Sequence, residues 1–328
     1  MPKFFNNWLE YSFVNKVVDW KINLTPDEIL SVDPNNIEQY SIEAVNSLLP
    51  KLGDKIAVCL SGGVDSQIMI DCFLRAGVQF DTVIMRFNDR LNSHDIDTAF
   101  EFCARRGITP VIVDVDIIHF FNREILDFAS IYDVSSPQFA AHFKLFTILM
   151  EMGYTSAVCG GNYLLNRDDG WNCPTTKEQY DWVSFSQKTN WFVCGDFLSH
   201  YWKFSLSISC LMDKMVSLDL GTSLQLKGTM NNYEQLLKMR YDNKIDGFSR
   251  AGFDIIPQKI KYTGFEKVKD YFTEITKDHW AFDKRFRMPL IKMNSSAENY
   301  TLTASDAQID ALNALYDKFS ASRISSRI

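Results

Sequence analysis

Residues 56–70 read Ile56-Ala57-Val58-Cys59-Leu60-Ser61-Gly62-Gly63-Val64-Asp65-Ser66-Gln67-Ile68-Met69-Ile70. An apolar run breaks at Ser61-Gly62-Gly63 and gives way to helical spacing that ends at Gly77, so the stretch predicts strand, glycine-rich turn and helix in that order. The pattern then repeats. Thr82–Phe87 is a second apolar run; Ser93 predicts the cap of a helix carrying Ile96, Ala99, Phe100 and Cys103 to Gly107; and Pro110–Val115 is a third run. Helical segments near 118–130 and 137–151 lead to a fourth run, Ser156–Cys159, followed by Gly160-Gly161-Asn162. Such alternation implies an α/β fold, a doubly wound and mostly parallel sheet with helices on both faces.

The flanks are less regular. Residues 1–50 predict an N-terminal extension, with Pro26 at the first helical position after Thr25 and a short amphipathic helix over Ser41–Leu49. Past residue 165 the alternation is lost. Asp181–Cys194 alternates loosely, as a hairpin would; Tyr233–Asn243 has helical spacing; Ser305 with Gln308 predicts a capping box for a helix through Ile309, Leu312, Tyr316 and Phe319. The expected division is an extension over 1–50, a nucleotide-type α/β domain over 51–165, and a mainly helical region over 166–328 that closes over a substrate. Trp171, Tyr180, Trp182, Phe185, Trp191 and Phe192 suit either a substrate pocket or an aromatic core.

Composition narrows the function. With 328 residues, 46% of them hydrophobic, the chain can bury a full core. A net charge of -7 argues against a broad phosphate-binding surface, so nucleic acid is not the expected main partner. Seven cysteines form no CxxC pair and lie largely in apolar runs, which predicts reduced thiols in a cytoplasmic protein. Trp8, Glu10 and Asp19 interrupt the apolar residues of the N-terminus, and no stretch has the roughly 18 uncharged apolar residues of a membrane span, so no membrane partner is expected.

The glycine turn stands where a strand ends, the position at which open α/β sheets bind ligands. Gly62 and Gly63 let backbone N–H groups approach phosphate oxygens, and the helix N-terminus adds unsatisfied donors and partial positive charge. Ser61 and Ser66 can add hydroxyl donors. Asp65 inside an anion site calls for a cation, which points to Mg²⁺ between carboxylate and phosphates. The spacing is neither GxxxxGK(S/T) nor GxGxxG.

Ser61-Gly62-Gly63-Val64-Asp65-Ser66 resembles the SGGxDS signature of the PP-loop N-type ATP pyrophosphatases, adenine nucleotide alpha-hydrolase-like enzymes that include asparagine synthetase and 7-cyano-7-deazaguanine synthase. The resemblance spans residues 51–165 and implies a ligase that cleaves ATP between its α- and β-phosphates. It would adenylate a carboxylate or amide of a small-molecule acceptor, release pyrophosphate, and form an amide or amidine after attack by ammonia or an amine. By the same likeness Ser61, Gly62, Gly63, Asp65 and Ser66 grip pyrophosphate, with Asp65 on Mg²⁺. Adenine would meet backbone at Leu60 and at Met85-Arg86-Phe87, where Arg86 either reaches a phosphate or is a strand-end charge. Gly160 and Gly161 resemble the glycine-rich segment after the fourth strand of asparagine synthetase. Leu164 and Leu165 stand where acids would follow it, and Asp168 or Asp169 is either a later metal ligand or a solvated charge. Pro257–Phe265 looks like a lysine segment in which Lys261, and after it Lys259, would stabilise charge at the α-phosphate, unless both are plain surface lysines.

The chain opens Met1-Pro2-Lys3, without an amino-terminal catalytic cysteine, and its five histidines are isolated, so nitrogen would come from a separate ammonia source or glutaminase, or from the substrate. Lack of a CxxC cluster speaks against a zinc-bearing deazaguanine synthase of the usual form. Three alternatives stay open: a sulfurtransferase or sulfonucleotide reductase-like enzyme using Cys159 or Cys173, a non-catalytic nucleotide-binding module, and an RNA-modifying ligase. A homo-oligomer is compatible with all of them.

Overall fold

The structure is a computed structural model and describes residues 4–6, 8–14, 17–132, 137–161, 178–211, 242, 244–257 and 299–324. The chain opens with three antiparallel strands, β1 (Phe4–Phe5), β2 (Leu9–Val14) and β3 (Val17–Ile22). Trp20 and Ile22 are buried on either side of exposed Lys21, the period-2 pattern of a half-buried strand. Helix α1 (Pro26–Leu30) begins at a capping box: Thr25 accepts from the Glu28 amide, and Glu28 accepts from the Thr25 amide at 2.7 Å. Helix α2 (Ile37–Leu52) then lays Tyr40, Ala44, Val45 and Leu48 into the core.

The alternating segment builds β4 (Ile56–Cys59), α3 (Val64–Arg75), β5 (Asp81–Phe87), α4 (Ser93–Arg106) and β6 (Val111–Val115). After it come α5 (Ile117–His119), a five-residue π-helical turn, α6 (Ile125–Tyr132), α7 (Pro137–Glu151), β7 (Ser156–Val158), α8 (Glu178–Thr189), β8 (Phe192–Cys194) and α9 (Phe197–His200). β4 to β8 form one parallel sheet in the order β6-β5-β4-β7-β8. Side-chain alternation separates its two faces. Ile56, Val58, Ile84 and Val158 join a core with α2, α3 and α4; Ala57, Val83, Val113 and Ala157 join one with α7 and α8.

Two local expectations are corrected. Asp181–Cys194 is a helix followed by one short strand, because Trp182 and Phe185 pack against α7 at helical spacing, with ring centroids 5.5 Å (Trp182–Phe146) and 4.6 Å (Phe185–Phe143) apart. Trp182, Phe185 and Trp191 are thereby core residues, while Trp171 lies outside the described residues. Ser93 does not cap α4: the preceding Asn92 holds the cap position, and its side chain is spent on the β5 backbone. The helix proposed over Tyr233–Asn243 lies almost wholly outside the described residues.

β9 (Asn299–Thr303) pairs parallel with β3, so the two ends of the chain share a four-stranded sheet. The C-terminal helix Asp306–Ile324 starts at the expected Ser305–Gln308 box, and Gln308 also donates to the Ile22 and Leu24 carbonyls at 3.1 and 2.6 Å. Among the described residues no helix is long and apolar enough to cross a membrane.

Residues 244–257 are strapped onto α3 and α4. Buried Asp71 pairs with Arg75 at 2.8 Å and Arg106 at 2.6 Å, and the same guanidiniums donate to the Gly252 and Asp254 carbonyls at 2.6 and 2.8 Å. Gln67, fully buried, donates to the Ile256 carbonyl at 3.0 Å and accepts from its amide at 2.7 Å. Gln67→Ala strands those groups without water, and urea denaturation should register a loss on the order of 3 kcal/mol, at about 1–3 kcal/mol for each buried group left unpaired. Wild-type stability of this variant would show that the strap is held elsewhere.

Candidate functional site

The strand order reverses between β4 and β7, and the loops leaving these two strands meet at their carboxyl ends, where doubly wound sheets bind ligands. After β4, buried Leu60 donates its amide to the Val83 carbonyl at 2.8 Å, extending the β4–β5 ladder by one residue before the chain turns. Gly62 takes φ +81°, and a Cβ there would lie 2.3 Å from the Asp95 carbonyl oxygen, so glycine is required twice over. Gly63 differs: its φ of -66° suits any residue, and a Cβ would meet nothing nearer than the Ser61 hydroxyl at 3.4 Å. Gly63 is the N-cap of α3 and brings no side chain to the first-turn amides, which leaves this helix end without a side-chain cap.

The two serines divide the work. Ser66 is buried and shapes the loop, donating to the Gly63 carbonyl at 2.8 Å and accepting from the Ser61 amide at 3.3 Å. Ser61 is exposed, its hydroxyl 3.2 Å from that of Ser66. Gly160 abuts the start of α3: a Cβ would fall 2.7 Å from the Asp65 carbonyl. Gly161 approaches Gly195 as closely, a Cβ there lying 2.2 Å from its carbonyl oxygen. Ser61, Gly62, Gly63, Asp65, Ser66, Gly160 and Gly161 are therefore brought together.

Lys244 completes this corner. Its ammonium stands 2.7 and 2.8 Å from the two Asp65 carboxylate oxygens, with both side chains about four-fifths buried. No motif in the sequence singles out Lys244; it follows the helical pattern of 233–243 and reaches Asp65 through the docking of 244–257. Lys259, Lys261, Asp168 and Asp169 lie outside the described residues.

The β5 end is more occupied than the sequence suggests. Asn92 donates to the Met85 carbonyl at 2.9 Å and accepts from the Phe87 amide at 2.9 Å, occupying backbone groups expected to face adenine. Arg86 faces Asp114 across the β5–β6 register and binds it through two nitrogens at 2.5 and 2.8 Å. Those hydrogen bonds hold the Asp114 carboxyl below its usual range and raise the Arg86 guanidinium.

Cys59, Cys159 and Cys194 stand at the carboxyl ends of the adjacent strands β4, β7 and β8, and the Cys159 amide donates to the Cys194 carbonyl at 2.7 Å. A hydrogen bond with Cys59, then burial, pushes the Cys159 thiol well up; burial, then Asp196, does the same to Cys194. Without a bound cation, both environments disfavour the thiolate form. The six described cysteines are all free.

No protein-family model matches the chain. Over 81 residues, 25% of this chain, it is 33% identical to the 7-cyano-7-deazaguanine synthase of Chromohalobacter salexigens; the match spans 31% of that relative. Among solved structures, the U34-tRNA thiolase NcsA from Methanococcus maripaludis, with its 4Fe-4S cluster, aligns over 83% of this chain and 81% of that one. Identity there is 13% and the TM-score 0.33, a similarity too small to define a common fold.

The glycines separate by what surrounds them. Gly160→Ala should cost about 1–3 kcal/mol through the clash with the first turn of α3, whereas Gly63→Ala should stay within about 1 kcal/mol of wild type. Equal costs in chemical denaturation would mean that the β7 loop yields and does not brace the α3 end.

Proposed function

We propose that the chain is a PP-loop ATP pyrophosphatase that binds Mg-ATP at Ser61–Ser66 and transfers the adenylyl group to a carboxylate or amide oxygen of a small-molecule acceptor. The observation that carries this reading is the Ser61-Gly62-Gly63-Val64-Asp65-Ser66 turn at the reversal point of a parallel sheet, with a helix N-terminus behind it and Asp65 held at its rim. The local identity with a 7-cyano-7-deazaguanine synthase supports it.

The first-turn amides of α3 and the Ser61 hydroxyl suit the β- and γ-phosphates, which leave together as pyrophosphate. Asp65 offers two carboxylate oxygens that already hold a positive charge, a donor type that fits Mg²⁺. The acceptor oxygen attacks the α-phosphorus, the bond to the α–β bridging oxygen breaks, and that oxygen departs with the electron pair. Attack of ammonia or an amine on the adenylate then expels AMP and leaves an amide or amidine. Lys244 sits within reach of this centre and is suited to the charge-stabilising role expected of Lys261 or Lys259. Ammonia would come from a separate source, in a cytoplasmic setting.

A second reading, sulfur transfer, draws on Cys59 and Cys159 at strand ends beside the loop. The state of Cys159 makes it the weaker one, because the thiolate is the reactive form and a hydrogen bond with Cys59, then burial, pushes that thiol well up.

Calorimetry with α,β-methylene-ATP and Mg²⁺ tests the site. Asp65→Asn should weaken binding at least tenfold, roughly 1.4 kcal/mol, and unchanged affinity would remove Asp65 from the cation. Lys244→Ala should retain binding while AMP formation from ATP slows by about 100-fold, the size of losing one charge-stabilising donor; a wild-type rate would return Lys244 to a purely structural role.

A further inference from the structure

We propose that Cys194, Asp196 and His200 form a binding site for one borderline-soft divalent cation, Zn²⁺ foremost, separate from the nucleotide site. The Cys194 sulfur, an Asp196 carboxylate oxygen and a His200 ring nitrogen all lie within 4.8 Å of one another. Cys194 Sγ and Asp196 Oδ1 are 3.7 Å apart. The three residues are 3%, 7% and 7% exposed, so the cluster is buried and not a chance meeting of surface groups.

The donor set selects the ion. A sulfur, an imidazole nitrogen and a carboxylate oxygen suit Zn²⁺, whereas Mg²⁺ and Ca²⁺ take oxygen throughout. Metal–ligand bonds of about 2.0–2.3 Å in a tetrahedral site put neighbouring ligand atoms roughly 3.3–3.7 Å apart. The sulfur–carboxylate edge already has that length, and the imidazole needs a shift on the order of 1 Å. Deprotonated Cys194 and Asp196 together bring two negative charges. The exposed Lys51, its ammonium 5.9 Å from the Phe192 ring centre, is close enough for its charge to act on Cys194 and His200.

The scaffold is held in place before any ion arrives. The ligands ride on seven consecutive residues whose backbone is tied to the β7 loop: Cys159 N to Cys194 O at 2.7 Å, a bridge between Gly160 and Asp196, Phe197 N to Cys159 O at 3.2 Å and Leu198 N to Gly161 O at 3.2 Å. From the other side, the Asn6 and Trp8 side chains donate to the Ser199 carbonyl at 3.2 and 2.9 Å. Such support is what metal ligands need in order to be held near coordination geometry. Because Gly160 touches both this turn and the first turn of α3, an ion here would stiffen the wall of the glycine loop.

Cobalt is the probe, since thiolate-bound Co²⁺ absorbs in the near ultraviolet and tetrahedral Co²⁺ in the visible. Full-length protein, stripped with chelator and kept reduced, should bind one equivalent of Co²⁺ with both absorptions, lose them to added Zn²⁺, and melt at a higher temperature with Zn²⁺ present. Asp196→Asn and His200→Gln, which preserve shape, should weaken Co²⁺ binding at least tenfold; Cys194→Ser should remove the near-ultraviolet band; Cys103→Ser should change nothing. No saturable one-equivalent binding by the wild-type protein overturns the proposal, whatever the variants do. So does full-affinity binding with an intact band in both Cys194→Ser and His200→Gln, which would hand the ion to other residues.

Discussion

One buried amide joins the glycine loop to the segment that carries Lys244. Gln67 has no exposed surface, and its side chain serves three backbone groups: the Gly62 carbonyl at 2.7 Å and both polar groups of Ile256, at 3.0 and 2.7 Å. The first contact fixes the bend of the glycine loop; the other two seat the segment that carries Lys244. Asp65 and Lys244 meet at 2.7 Å because Gln67, Arg75 and Arg106 have already docked 244–257 against α3 and α4. In a dry interior each of these polar groups must find its partner, so loop and strap are specified together.

The same corner depends on side chains that are missing. A Cβ at Gly62 would strike the Asp95 carbonyl and one at Gly160 the first turn of α3, so the close approach of three chain segments rests on glycine. Gly63 has no such neighbour: a Cβ there would meet nothing nearer than the exposed Ser61 hydroxyl at 3.4 Å, beside a helix end that no side chain caps. That contrast, packing on one glycine and room on the next, is the physical reason to read the turn as a ligand cradle and not as a simple strand-to-helix connection.

What was legible in the sequence was local. The apolar runs that became β4, β5, β6 and β7, the helix end at Gly107, and the capping boxes at Thr25–Glu28 and Ser305–Gln308 are all signals carried within a few residues. The loop residues Ser61 to Ser66 belong to the same class. Long-range pairing was not legible. β3 is completed by β9 from the other end of the chain, Gln67 meets Ile256 across 189 positions, and Cys59 finds Cys159 only through the β4–β7 register. Asn92 illustrates the limit well: its place before a helix is visible in the sequence, but its use on Met85 and Phe87 requires β5 to lie beside it. Lys244 carries no motif and becomes notable only through the carboxylate it reaches.

The most direct measurement is the fate of the α-phosphate. Purified protein is incubated with ATP labelled at the α-phosphate, Mg²⁺, ammonia and a mixture of small carboxylates and amides, and the labelled products are separated. AMP formed together with pyrophosphate, and lost in Asp65→Asn, is the result this account predicts; labelled ADP would mean cleavage between the β- and γ-phosphates and would contradict it.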